Sequence, residues 1–130
     1  MFKWIIATSF CCLLLSCSIT KEHKEARNVT IENIDFPSLA DGTYTGYYEG
    51  GMYKWRECEV EVTVSLGKVK EIKLLNSKDP GGNNADHDKL FNRVINEQSL
   101  QVDALSGATL TSKAYLKAIE IALLKSLNNQ

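Results

Sequence analysis

The residues whose types and spacing can do chemistry lie in one stretch, Asp103 to Ser112, reading DALSGATLTS. Gly107 reaches backbone angles that other residues adopt only at a cost, and its neighbours Ser106 and Ala108 are small, so the stretch reads as a sharp, uncrowded turn. Thr109 follows directly, with its hydroxyl open to another molecule. The apolar period behind it predicts a helix from about Ser112 to Leu127. Thr111 or Ser112 is the expected N-cap, accepting from the first free NH groups, and Ser106 reads as a capping hydroxyl rather than a reactive one. Free NH groups and the positive end of the helix dipole make a seat for phosphate. A hydroxyl beside such a seat is where a phosphate ester can be made and held; the plain alternative is a capped turn.

The elements that must position this turn are legible upstream. Asp41-Gly42 opens the folded part as a turn, and Thr43 to Glu49, rich in tyrosine and threonine, reads as a strand. From Cys58 to Leu66 apolar residues alternate with Glu59, Glu61, Thr63 and Ser65, which predicts a strand with one wet face. Gly67 turns the chain and Val69 to Leu75 returns as the antiparallel partner. The loop Asp79 to Asn84, DPGGNN, cannot continue a regular element. Beyond it Asp86 or Asp88 caps a helix running to about Gln98, with Leu90, Phe91, Val94 and Ile95 inward. The last helix turns Leu116, Ile119, Leu123 and Leu127 inward, widened by Tyr115, Ala118 and Ala122. This order implies an α+β fold: a small antiparallel sheet of three or more strands covered by two helices.

At these residues the chain resembles the FMN-binding domain family. Asp103, Ser106, Gly107, Ala108 and Thr109 fall on the family's acceptor motif; Asp41, Gly42, Tyr44 and Gly46 look like its opening DGxYxG, and Leu66-Gly67-Lys68-Val69 like its hairpin. The resemblance covers roughly residues 41 to 127. It implies that a flavin transferase takes FMN from FAD and esterifies the phosphate to Thr109, with Asp103, Ser106, Gly107 and Ala108 framing the site; Thr111 and Ser112 join it as the expected caps beside the phosphate seat. It also implies a place among flavin subunits of membrane redox complexes and lipid-anchored electron carriers. The segment SKDPGGNNADHDK departs from the family's pattern. Tyr44, Tyr47, Tyr48, Tyr53 and Trp55 are candidates to touch the flavin ring and the Gly81-Gly82 loop can border it, although ordinary packing explains each as well.

The first residues read as a targeting segment. Lys3 supplies its positive end and Trp4 to Leu15 its apolar core, too short for a permanent membrane span; Leu14-Leu15-Ser16-Cys17 looks like a lipobox with cleavage before Cys17 and acylation of its thiol. At about 0.8 kcal/mol per buried methylene, several acyl chains on Cys17 make a stable anchor. The expected divisions are therefore a signal peptide at 1–16, lipidated Cys17 and a polar tether at 17–40, and the FMN-binding domain at 41–130. Ile31, Ile34, Phe36 and Leu39 can pack onto the domain. Of four cysteines, Cys11 and Cys12 leave with the leader and Cys17 carries lipid, so Cys58 alone remains, a packed thiol on the buried strand face.

Removing residues 1–16 of the 130 leaves 114, enough for one domain with a core. The whole chain carries 15 basic and 16 acidic residues without a basic block, which argues against nucleic acid as a partner. Asp86-His87-Asp88 points in divergent directions and makes a poor metal site. No serine or cysteine nucleophile pairs with a histidine at motif spacing, so no catalytic residue is assigned. The reading is an extracytoplasmic, membrane-anchored flavoprotein electron carrier with FMN covalent at Thr109. Its expected partners are a flavin transferase and a membrane reductase or redox complex. The alternative is a flavin-free envelope lipoprotein acting as a binding or assembly module.

Overall fold

Alternation of apolar and polar residues makes the central strand. In the computed structural model, which describes residues 20–52, 54–78 and 86–129, Cys58, Val60, Val62 and Val64 of strand β2 (Cys58–Ser65) are all buried and the residues between them are not. β1 (Gly42–Tyr48) and β3 (Lys68–Ser77) flank it in the order β1-β2-β3, both antiparallel to it. β1 runs from Gly42 opposite Val64 to Tyr48 opposite Cys58. β3 starts with Lys68 opposite Ser65 and carries register shifts at Glu59/Val60 and Thr63/Val64. The leader, Cys17, Tyr53 and the Gly81-Gly82 loop lie outside the described residues.

The alternation breaks one residue sooner than its apolar letters suggest. Leu66, expected inward, is 83% exposed, because Leu66 and Gly67 both take positive φ (55° and 69°) and form the two-residue turn between β2 and β3. Consecutive positive φ angles match the right-handed twist of the flanking strands, so the turn geometry overrides the pattern.

Two helices cover one face of the sheet: α2 (His87–Glu97) lies over β3, and α3 (Thr109–Asn128) over β1 and β2. Asp86 caps α2 by accepting from the Lys89 N–H, and Leu90, Phe91 and Val94 are buried. Gln98 ends α2 in the left-handed region, and its side-chain amide bonds both the N–H and the carbonyl of Val69 on the outer edge of β3. α3 sits very close to β1. A Cβ at Gly46 would stand 1.8 Å from the Ala118 carbonyl oxygen, so glycine is what lets the helix backbone approach. Lys125, near the end of α3, donates to the Thr45 carbonyl of β1.

The segment expected as a tether is built differently from residue 20 onward. Residues 20–27 form a helix, here α1, and the chain then follows α3, making a 3-10 turn at Phe36–Ser38. Ile34, Phe36 and Leu39 join the core, with Ile31 packed against it. Polar side chains of α3 fasten this strap: Lys113 donates to the Arg27 carbonyl (2.7 Å), Lys117 to Thr30 (3.1 Å) and Ser126 to Ala40 (2.9 Å), while Glu120, 1% exposed, accepts from the Glu32 N–H and from Lys117. Strap on one side and sheet on the other bury α3 nearly all round, which is why its sequence lacks a clean polar face.

Candidate functional site

The turn before α3 is made by its own backbone. Leu105 is buried, the Ala108 N–H bonds the Leu105 carbonyl (3.0 Å), and Gly107 takes φ 75°. A Cβ at Gly107 would meet nothing within 4 Å, so this glycine serves the turn alone. The Ser112 N–H bonds the Ala108 carbonyl at 2.8 Å, and the helix therefore begins at Thr109, earlier than its apolar period indicates.

That earlier start overturns the expected capping. The N-cap is Ala108, without a side-chain cap, and Ser106 is exposed. Thr111 and Ser112 lie inside the first turn and face the protein. Ser112, fully buried, accepts the Leu105 N–H at 3.0 Å and ties the turn shut from within. Thr111, 6% exposed, accepts from Arg56 Nη1 at 2.9 Å. Asp103 is exposed; its carbonyl and that of Ala104 accept from Arg93 of α2, at 2.7 and 3.1 Å.

Thr109 is thus the first residue of α3 and is exposed. It borders a cleft of about 390 Å³ whose walls include Ile31, Val102, Asp103, Lys113 and Leu116. Lys113 is one turn further along α3 than Thr109, so both side chains stand on the same side of the helix. With no capping side chain, the opening NH groups of α3 and its dipole are left for whatever approaches the turn.

Behind the turn lies a buried ion pair that the sequence reading missed. Glu22 of α1, 2% exposed, holds Arg56 through both oxygens, at 2.7 Å to Nε and 3.3 Å to Nη2, and the third arm of that guanidinium reaches Thr111. One arginine joins the strap, the β1–β2 loop and the first turn of α3. No local signal marks it: Glu22 lies in a polar run and Arg56 in a mixed loop, and only the fold brings them together.

The other candidates are engaged elsewhere in the fold. Tyr44 is buried and donates to the Ala40 and Asp41 carbonyls, near the far end of α3. Tyr47 stands exposed and donates to Glu57 at 2.8 Å, a bond that raises the phenol's pKa and lowers that of the carboxyl. Burial raises the Tyr48 phenol. His87 packs against Phe91 and Tyr115, with ring centroids 5.5 and 6.3 Å apart. Cys58, 1% exposed, points at the Ala114 carbonyl, and burial pushes its thiol up to about 12, so it is a packed group rather than a nucleophile.

Comparison with known proteins gives three findings. The family described as the FMN-binding domain matches residues 54–124. The chain is 31% identical over 101 residues to an NADH:acrylate oxidoreductase of Vibrio harveyi; the match takes in 77% of this chain and spans only 9% of that protein's length. The crystal structure of the CPE2226 protein from Clostridium perfringens superposes with a TM-score of 0.58 at 22% identity, over 71% of this chain and 92% of that one, a likeness of fold.

Proposed function

The chain belongs to the FMN-binding domain family, and from that premise we propose that it is an electron carrier whose FMN is esterified to Thr109. The observation that carries this reading is the exposed Thr109 hydroxyl at the first position of a helix whose N-cap offers no side chain. The surroundings fit a phosphate ester. Opening NH groups and the helix dipole favour an anion there, Gly107 leaves the approach open, and Lys113 adds a cation on the same side.

Bound FMN supplies the redox chemistry, and the protein's share is to hold and orient it. Ser112 holds the turn from inside and Arg93 from the surface, and Arg56 bonds Thr111 in the first turn of α3. Attachment forms the bond between Thr109 Oγ and phosphorus and breaks the diphosphate of FAD; the hydroxyl proton leaves with AMP. A partner transferase supplies metal and positioning for that step. A covalent link also keeps flavin from being diluted away outside the cytoplasm. The Vibrio harveyi relative is named for passing electrons from NADH to acrylate, and a stretch similar to this chain makes up 9% of it. In this reading the domain carries flavin only, and electron donor and acceptor sites lie outside it. Acylation of Cys17 places the carrier on the extracytoplasmic side of a membrane.

Co-expression with a flavin transferase, followed by intact mass and peptide mapping, tests the assignment. The expected gain is one FMN less one water on the peptide containing Thr109, absent from Thr109→Ala. An unmodified mass, obtained beside a second acceptor that the same transferase does load, refutes it.

A further inference from the structure

We propose that the pole of the molecule bearing Thr109 rests against the bilayer, so that its redox partner is one held in the membrane. The inference rests on the Cys17 anchor proposed above and adds the direction in which that anchor points the site.

The strap runs alongside α3 in the same sense. Arg27 is bonded to Lys113, Thr30 to Lys117, Glu32 to Glu120 and Ala40 to Ser126, so the strap starts at the N-terminal end of α3 and finishes at the other. At its start, Glu22 and Thr111 hold the same guanidinium, two residues from Thr109. The opposite pole is equally well marked. Ala40 meets the last turns of α3 by accepting from Ser126, and the carboxylate of the next residue, Asp41, accepts the Leu66 N–H at the β2–β3 turn.

Covalent geometry then sets a short leash. Three Cα–Cα steps separate Cys17 from Thr20, spanning about 11 Å at full stretch, and the distance from Thr20 to Glu22 within the helix adds about 5 Å. The anchored residue therefore lies within about 17 Å of Glu22, whatever path residues 17–19 take. The twenty residues of α3 extend for about 30 Å, and Leu66 stands at the far end of that length.

The surface at the near pole suits lipid headgroups. Met52 is 80% exposed beside a groove of about 620 Å³ between α1 and the Gly50–Met52 turn, with Lys21 and Lys24 on its walls. Arg27 and Lys54 are exposed on the same two elements. Of the acids there, Glu22 is bound to Arg56, Glu25 accepts the Met52 N–H at 2.9 Å, and Glu49 faces solvent. An exposed apolar side chain beside Lys21, Lys24, Arg27 and Lys54, with Glu25 and Glu49 as the nearby acids, suits an anionic headgroup layer.

The test uses the lipidated, isotope-labelled protein in nanodiscs containing phosphatidylglycerol and a lipid with a gadolinium chelate on its headgroup. Amide signals of residues 21–28 and 106–112 are expected to lose most of their intensity, while those of 64–68 and 126–129 keep theirs. Loss centred on the second group, or equal at both poles, overturns the orientation and leaves the anchor standing. The intact mass reads the anchor separately: no acyl chains on Cys17 overturns the anchor and the orientation together.

Discussion

Of the stretches that carry the family resemblance, the structure uses two in opposite ways. Asp41 to Gly46 is absorbed by the fold: Asp41 holds the β2–β3 turn, the Tyr44 hydroxyl closes on Ala40 and Asp41, and Gly46 lies under the backbone of α3. In Ser106 to Thr109, by contrast, Ser106, Gly107 and Thr109 are exposed, and a Cβ added at Gly107 would touch nothing. A motif residue with an internal partner is explained by folding. One facing outward is explained by something that comes to it. Glycine makes the contrast sharpest, since Gly46 is needed for space and Gly107 for a backbone angle.

Substitutions that break this division should fall in a definite order. Gly46→Ala drives a methyl into the Ala118 carbonyl, and helix backbone cannot yield as a side chain would; we expect a loss of about 4 kcal/mol or more, read as failure to fold or a collapsed urea midpoint. Arg56→Ala leaves Glu22 buried without its cation, for about 3 kcal/mol, and the pair Glu22→Leu with Arg56→Met should recover most of it. Alkali is expected to act through Cys58. Its thiol keeps its proton in the fold up to about 12, whereas the unfolded chain releases it from about pH 9, so stability falls as pH rises through that window. Cys58→Ala should remove that share, about 2 kcal/mol near pH 10.5, seen as a flatter dependence of melting temperature on pH.

The outward-facing stretch should prove thermodynamically quiet. Gly107→Ala strains the turn at φ 75° without a clash and should cost about 1 kcal/mol by urea titration. Thr109→Ala should change stability by less than about 0.5 kcal/mol while abolishing covalent flavin. A large stability loss from either would erase the distinction between the two stretches.

Sequence reading succeeded where the physics is local. The alternation of Cys58, Val60, Val62 and Val64, the Asp86 cap and the inward Leu90, Phe91 and Val94 were legible because neighbours in sequence decide them. The start of α3 was misplaced because Thr109, Leu110 and Thr111 do not look like an amphipathic first turn; the Ala108–Ser112 hydrogen bond puts them in one. Residues 20–40 read as a polar tether because their charges seemed destined for water. Glu22 and Glu120, the latter inside α3, are buried instead, and the fold brings each a distant donor, the Arg56 guanidinium to Glu22 and the Glu32 N–H to Glu120. Partners 34 and 88 positions away leave no periodic trace.

The amide of Gln98 and the ammonium of Lys125 have a consequence for life on a surface. A three-stranded sheet has two outer strands, each offering unpaired peptide groups to any strand that drifts alongside. Gln98 occupies both peptide groups of Val69, as a neighbouring strand would, and Lys125 covers the Thr45 carbonyl with a charge that resists being dried out. Proteins fixed to a membrane meet one another in two dimensions, at local concentrations far above those of free molecules. On the anchor proposed above, two side chains at the ends of two helices would keep a crowded population from stitching itself into sheets.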